Sequence, residues 1–263
     1  MTPRISVIMG IYNCAHTLQE ALDCLYAQTY QEFEIILCDD GSNDDTYAIA
    51  QANAQKHPNI KLIKNAHNMG LNQTLNNCLA VAEGEFIARM DGDDTCSPDR
   101  FEKEVKVLDE HLEYAIVSTD MSFFDENGTW GQTHAISLPQ PKDLLGQTCF
   151  CHAACLVRKE AYDTVGGYTV DKKLLRVEDY HLWVKMYANG YRGYNILEPL
   201  YQMRDDRNAN SRKKFKFRFN ESYVKAEAIR LLHLPLWGYV YCLRPIVIGL
   251  LPSALYNFLH HQK

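Results

Sequence analysis

The chain has 263 residues, 46% of them hydrophobic and 23% charged, which is enough to bury a core and argues against a disordered or fibrous protein. Its 27 Lys and Arg against 33 Asp and Glu leave a formal net charge of −6, so no global basic field exists to hold nucleic acid. Nine scattered cysteines fit a reducing compartment, and the first apolar strand begins at Ile5 with no secretory signal evident before it; the expected location is cytoplasmic.

The first third of the chain alternates short apolar runs with helical periods. Ile5–Met9 reads as a buried strand, and Leu18, Ala21, Leu22 and Leu25 give residues 17–27 a helical repeat. Phe33–Cys38 is a second strand; a helix to about Lys56 follows, capped by Asp44 or Asp45. Ile60–Ile63 is a third strand, Leu71–Ala82 a helix with Gly84 as its stop, and Phe86–Met90 a fourth strand. Ser97 as cap with Pro98 at the first position starts a helix to about Glu110. Asp125–Gly128 turns a hairpin between 121–124 and 129–130, and a strand near Ala153–Val157 and a helix near Tyr180–Ala188 follow.

This alternation implies parallel βαβ units in an α/β fold, whose ligands bind outside the carboxyl ends of the strands. Three segments should therefore share one edge: Gly10–Asn13, Asp39–Ser42 and Asp91–Asp94. Asp91-Gly92-Asp93-Asp94 is the sharpest of them. Three carboxylates in four residues repel one another unless a cation or hydrogen-bond donors compensate them. A hard divalent ion bridging to phosphate oxygens would do so; a solvated acidic turn that caps a helix is the plain alternative. Asp39-Asp40 offers a carboxylate to a base N–H, or simply a turn and a helix cap. Tyr12 and Asn13 offer an aromatic face and a polar handle, or an ordinary strand-to-helix turn.

Taken together, Tyr12-Asn13, Gln28-Thr29-Tyr30, Asp39-Asp40-Gly41-Ser42, Asn68-Met69-Gly70, Glu83 through Arg89, and Asp91-Gly92-Asp93-Asp94 resemble family 2 glycosyltransferases of the GT-A fold. The resemblance continues through His152, Arg158, Gly166-Gly167-Tyr168 and Glu178-Asp179-Tyr180-His181-Leu182-Trp183, and covers residues 4–204. It implies a Rossmann-like, mixed and mostly parallel sheet flanked by helices, and a sugar transferred from a nucleotide-sugar donor, a UDP-sugar before GDP or dTDP. By the same resemblance Tyr12 flanks the nucleobase, Asp40 contacts the uracil with Asp39 supporting that loop, Asp91 binds near the ribose, Asp93 ligates Mn²⁺ or Mg²⁺, and Asp179 of the Glu178-Asp179 pair is the catalytic base. Inversion at the anomeric carbon follows from a single displacement.

Other assignments stay open at this level. Glu178 and Asp179 also suit a plain helix N-terminus. His152, near Cys149, Cys151 and Cys155, matches no common zinc spacing; the resemblance sets it near acceptor or diphosphate, as it does Asp94, Trp183 and Arg204, while burial in the core is the alternative for His152 and Trp183.

Residues 1–205 are read as the catalytic domain, with a nucleotide half to about 95 and an acceptor half after it, and 206–263 as a helical tail. From Arg204 to Arg230 nine Lys or Arg stand against four Asp or Glu. This basic strip, with Arg207, Arg212, Lys213 and Lys214, and the apolar stretch Leu231–Leu259 after it suit a solvated face, a packed element or an interfacial anchor at a membrane. The anchor would bring the enzyme to a lipid-linked or glycan acceptor at the cytoplasmic face. Pro235, Arg244, Pro245 and Pro252 interrupt it as a span. Two competing functions remain: a sugar-nucleotide nucleotidyltransferase, disfavoured because Gly10–Cys14 carries no Lys or Arg, and a non-catalytic binding module, which would need no base at Asp179.

Overall fold

The computed structural model describes residues 2–146, 148–205 and 215–250. One nine-stranded sheet organises it. The first four strands are β1 (Ile5–Ile11), β2 (Phe33–Asp39), β3 (Ile60–Lys64) and β4 (Phe86–Arg89). They run parallel in the order β3-β2-β1-β4, with Ile5 level with Phe33 on one side and Phe86 on the other. The connecting helices are α1 (Leu18–Tyr26), α2 (Thr46–Lys56) and α3 (Leu71–Leu79). Every residue of β2 and β4 is buried, as strands covered on both faces must be. Alternate residues serve two cores: Ile8 and Ile36 face α3 and the later helices, while Val7, Met9, Ile35 and Leu37 face α1.

The rest of the sheet is mixed. β5 (Thr95–Cys96), β6 (Ile116–Asp125), β7 (Gly128–Gln132), β8 (Leu156–Arg158) and β9 (Gly193–Arg204) extend it as β4-β8-β6-β9-β5, with β7 on β6. β8 is antiparallel to β4, and β9 is parallel to β6. β9 was not foreseen because Pro199 lies inside it, and proline argues against an interior strand. The ladder accommodates Pro199 opposite Asp120, where the register shifts.

Three sequence readings need correction. α4 (Arg100–Glu110) begins after Asp99, not at Ser97-Pro98, because Thr95–Cys96 pair with β9 and the Ser97 N–H donates to the Leu200 carbonyl at 2.9 Å. Residues 152–154 form a short 3₁₀ turn, so the strand near 153–157 is Leu156–Arg158. The start of α2 falls where the sequence places it: Asp45 holds the cap position, without a side-chain bond, and Asp44 accepts from the Thr46 and Ala15 N–H groups. α3 ends at Leu79, and Gly84 is no helix stop: its N–H donates to Ser6 Oγ at 2.8 Å, and a Cβ there would lie 2.6 Å from the Ser6 nitrogen.

α5 (Lys159–Val165) and α6 (Glu178–Ala188) cover the second half of the sheet. α7 (Lys216–Leu231) packs on α6, with Val224, Ala228 and Ile229 in the main core, and α8 (Val240–Leu250) folds back on α7. Among the described residues no helix is long and apolar enough to cross a membrane. Asp206, Arg207, Arg212, Lys213, Lys214, Pro252 and the apolar stretch beyond 250 lie outside the described residues.

Gly84→Ala is expected to cost about 1–3 kcal/mol, since backbone atoms of β1 cannot rotate away as a side chain would. Thermal unfolding checks this, with a fall of roughly 2–4 °C per kcal/mol; an unchanged melting temperature would show that the turn is not pinned.

Candidate active site

The carboxyl ends of β1, β2 and β4 point to one edge, and three polar segments meet there. After β1, Tyr12 is 44% exposed and Asn13 takes a left-handed φ of 49°, which asparagine tolerates. Asn13 ties the first two loops together: its N–H donates to Ser42 Oγ at 3.0 Å, and its Oδ1 accepts the Asn43 N–H at 2.9 Å.

Asp40, after β2, is buried and accepts three bonds: Asn65 Nδ2 and the Met69 N–H on Oδ1, and the Gly70 N–H on Oδ2. A carboxylate offers about four lone-pair sites, so the Asn68-Met69-Gly70 loop fixes this group and leaves room for one further donor. The neighbouring Asp39 has Oδ2 buried with no hydrogen bond, 3.9 Å from Lys64 Nζ. Gly41 has a φ of +74°, and a Cβ there would press on the His67–Asn68 backbone at 3.0 Å.

β4 ends in a cation. Arg89 is buried; its Nη2 pairs with Asp91 Oδ1 at 2.6 Å and its Nη1 donates to the Met90 carbonyl. Burial opposes its charge, but Asp91 and the Tyr168 and Tyr201 rings beside it hold it firmly protonated. Gly92 lets the turn approach β1: a Cβ there would stand 2.9 Å from Cys14 Sγ, and its carbonyl accepts from Thr17 Oγ1 at 2.9 Å.

Asp94 is buried and fully engaged. Its Oδ2 accepts from the Tyr201 hydroxyl at 2.9 Å and its Oδ1 from the Arg204 N–H at 2.8 Å, while the Asp91 N–H donates to the Tyr201 oxygen at 3.1 Å. Burial, then Asp91 and Asp93, push the Asp94 carboxyl up to about 7. Asp93 is exposed, and burial of its surroundings and then Asp91 raise its carboxyl too. The Arg204 guanidinium donates to the Asp93 carbonyl at 3.0 Å and pairs with Glu20, so it stands at the mouth of this edge.

The opposite wall comes from α6, which begins at Glu178. Asp179 is pushed up to about 6 by burial and then by Glu178, with the N–H groups of the helix start acting against them. His152 Nε2 lies 2.7 Å from the Tyr168 hydroxyl; burial, then Arg89, drop its basicity well below the ordinary histidine value. Trp183 is buried, edge-on to Phe150 and His152, with its Nε1 unpaired. Arg89 also favours the ionised carboxylates of Asp93 and Asp179 and the neutral form of His152, so its charge is felt by groups distant in the chain.

Tyr201 and Asn65 were given no place in the site from the sequence, and Arg89 entered only as the end of the Glu83–Arg89 motif, with no role of its own. Arg89 left a signal, a lone cation closing an apolar strand two residues before the first aspartate. Tyr201 left none, since its place depends on β9 pairing with β5 and β6.

The site can be tested for fit to a divalent ion. Among the described residues no three His, Cys, Asp or Glu side chains form a metal cage. Among the described residues, no side-chain or backbone donor of another residue bonds the Asp93 carboxylate, which stands close enough to Asp91 to feel its charge. Mg²⁺ and Mn²⁺ in phosphate sites take one or two carboxylates, with substrate oxygens and water for the rest, so this donor set fits such an ion held jointly with a diphosphate.

Known structures define the class of this fold. It is similar to Staphylococcus aureus TarS in complex with UDP-GlcNAc, at a TM-score of 0.70 and 18% identity over 94% of this chain and 82% of that one. It is also similar to the mannosyltransferase PcManGT from Pyrobaculum calidifontis in complex with GDP-Man and Mn²⁺, at a TM-score of 0.68 and 21% identity over 100% and 80%. The fold is thus GT-A. At the sequence level, the model of glycosyl transferase family 2 matches residues 6–166. The chain is 41% identical to EpsE of Bacillus subtilis over 99% of this chain and 94% of EpsE. It is 26% identical, over 92% and 94%, to WfaP of Escherichia coli, a UDP-Glc:α-D-GlcNAc-diphosphoundecaprenol β-1,3-glucosyltransferase. The chain belongs to glycosyltransferase family 2.

Removing the cation should expose its role. Arg89→Met is expected to cost about 1–3 kcal/mol, less than for a fully buried pair because the partner it strands, Asp91, is only half-buried. The loss should be larger at pH 8 than at pH 5, because Asp94 and Asp179, at about 7 and 6, hold protons at the lower pH and repel less. Urea unfolding at both pH values measures it; equal losses would contradict the neutralising role.

Proposed function

We propose that this protein is an inverting glycosyltransferase that moves a sugar from a nucleotide-sugar donor, a UDP-sugar, to a lipid-linked or glycan acceptor in the building of a surface polysaccharide. The observation that carries the reading is the pairing of the carboxylate edge at Asp91–Asp94 with a separate half-buried carboxylate, Asp179, at the start of α6. A nucleotide-binding module has use for the first and none for the second.

The roles follow from position. Tyr12 offers its exposed ring to the base, and Asp40 has acceptor capacity left for one base N–H. Asp39 and the 68–70 loop hold that carboxylate in place, and Asp91 and Gly92 lie where the ribose and diphosphate would pass. Asp93 would hold Mn²⁺ or Mg²⁺, an ion that when bound supplies positive charge to the departing diphosphate. Asp94, tied to Tyr201 and Arg204, keeps the turn in shape, and Arg204 at the mouth is placed to meet phosphate oxygens.

Asp179 takes the proton of the acceptor hydroxyl as its oxygen bonds to the anomeric carbon and the bond to the diphosphate breaks. A carboxyl near 6 is ionised at neutral pH yet more basic than an ordinary aspartate. Glu178 raises it, and His152 and Trp183 close the wall behind. One displacement inverts the centre, so an α-linked donor gives a β-linkage. WfaP, whose acceptor is a sugar on a lipid diphosphate, supports a lipid-linked acceptor here, with the enzyme working against the cytoplasmic face of the membrane.

Asp179→Asn should leave UDP binding intact and lower transfer to membrane-extract acceptors by about 10²–10⁴; an undiminished rate would sink the assigned base. In the parent enzyme the rate should rise with pH through about 6 and level off as Asp179 ionises. Glu178→Gln removes a charge that raises Asp179, so the midpoint should move to lower pH; a fixed midpoint would show that another group titrates.

A further inference from the structure

The helical hairpin at the end of the described chain carries a surface that the transferase chemistry does not use. Leu236, Val240, Leu243, Val247 and Leu250 are 56% to 79% exposed and recur at spacings of four, three, four and three residues, so they form one stripe along α8 and the turn before it. Trp237 and Tyr239 stand exposed at one end. The opposite face of α8 is occupied: Pro245 is buried, Ser222 Oγ donates to the Cys242 carbonyl at 2.7 Å, and a Cβ on Gly249 would lie 2.8 Å from the Phe215 ring. α8 is therefore apolar on both faces although it lies at the surface.

Charge decides what covers the stripe. From Leu231 to Lys263 the sequence has no Asp or Glu, and from Arg212 to Lys263 nine Lys or Arg stand against two acids, Glu221 and Glu227. A helix from a second copy would use the same spacing, but such seams are flanked by charges of opposite sign. The flanking positions here hold Trp237, Tyr239, Arg244 and Ile246, with no acid for Arg244 to meet across a two-fold axis. Aromatic residues at one end, an excess of cations and an apolar stripe are the composition of a helix lying in a membrane interface. The described part of α8, eleven residues or about 16 Å, is shorter than the hydrocarbon layer is thick.

We infer that the stripe Leu236–Leu250 is the seat by which this enzyme lies on an anionic lipid bilayer, and that the seat is rigidly linked to the catalytic wall. The link is α7. Asn220 Nδ2 donates to the Leu175 carbonyl at 3.0 Å, three residues before Glu178, and Lys173 stacks on Tyr223. Val224 and Ala228 share a core with Tyr180 and Val184 of α6. One helix layer thus separates the bilayer-seated α8 from the helix that carries Asp179, which suits an acceptor whose lipid stays in the membrane. The inference rests on the lipid-linked acceptor proposed above and names the surface that meets the lipid.

The full chain would be tested by flotation with phosphatidylcholine vesicles, with and without roughly one third phosphatidylglycerol. Two double variants would be compared with it, Leu243→Gln/Val247→Gln and Leu243→Glu/Val247→Glu, with light scattering in the absence of lipid and UDP calorimetry on each. The parent protein should bind the anionic vesicles at least about tenfold more tightly than either variant, while all three bind UDP alike. Undiminished vesicle binding by the variants, or none by the parent, overturns the seat. A lipid-free dimer that the variants convert to monomer overturns it too, by assigning the stripe to a second copy. Loss of UDP binding in all three with vesicle binding intact would instead refute the transferase reading and leave the seat standing.

Discussion

The buried guanidinium of Arg89 is the constraint around which this site is organised. Three aspartates in four residues cannot share a turn, with a fourth carboxyl on the facing helix, unless positive charge stands among them. Arg89 supplies one charge, paired directly to Asp91 and felt at Asp93, His152 and Asp179. Burial, and then the neighbouring carboxylates, still raise Asp94 to about 7 and Asp179 to about 6. A site left deficient in positive charge, yet held in shape, favours a divalent ion arriving with a diphosphate.

The shape comes from elements that carry no catalytic group. Tyr201 bridges Asp94 and the Asp91 backbone from β9, and Arg100 lies 5.2 Å from its ring. Arg100 is itself buried against Glu104, whose carboxyl burial raises to about 8. Arg100 also donates to the Arg89 and Cys155 carbonyls, so it braces the strand end that presents Arg89. Rigidity here serves chemistry, because groups that must meet a developing charge lose their advantage when they have to reorganise.

Much of this was legible in the sequence, for a physical reason. The parallel half of the fold is written locally: apolar runs, helical periods and polar strand ends follow one another within about thirty residues, and the handedness of βαβ units then brings Tyr12, Asp40 and Asp93 to one edge. The mixed half is not written locally. β9 pairs with β6 some eighty residues away, around a proline, and no short-range pattern announces Tyr201. Gly84 looked like a helix stop because glycine serves both that purpose and close approach, and only the position of Ser6 distinguishes them. The tail was read as basic and apolar, whereas its stripe became visible only when α7 claimed one face of α8.

The central claim is that the edge at Asp93 holds a nucleoside diphosphate together with a divalent ion. Calorimetric titration with UDP and with GDP, in Mn²⁺ and in EDTA, on the parent protein and on Asp93→Ala, tests it most directly. The account predicts UDP binding that requires Mn²⁺ and is lost in Asp93→Ala, with GDP weaker. UDP binding of equal strength in EDTA, or unaffected by the substitution, would contradict it.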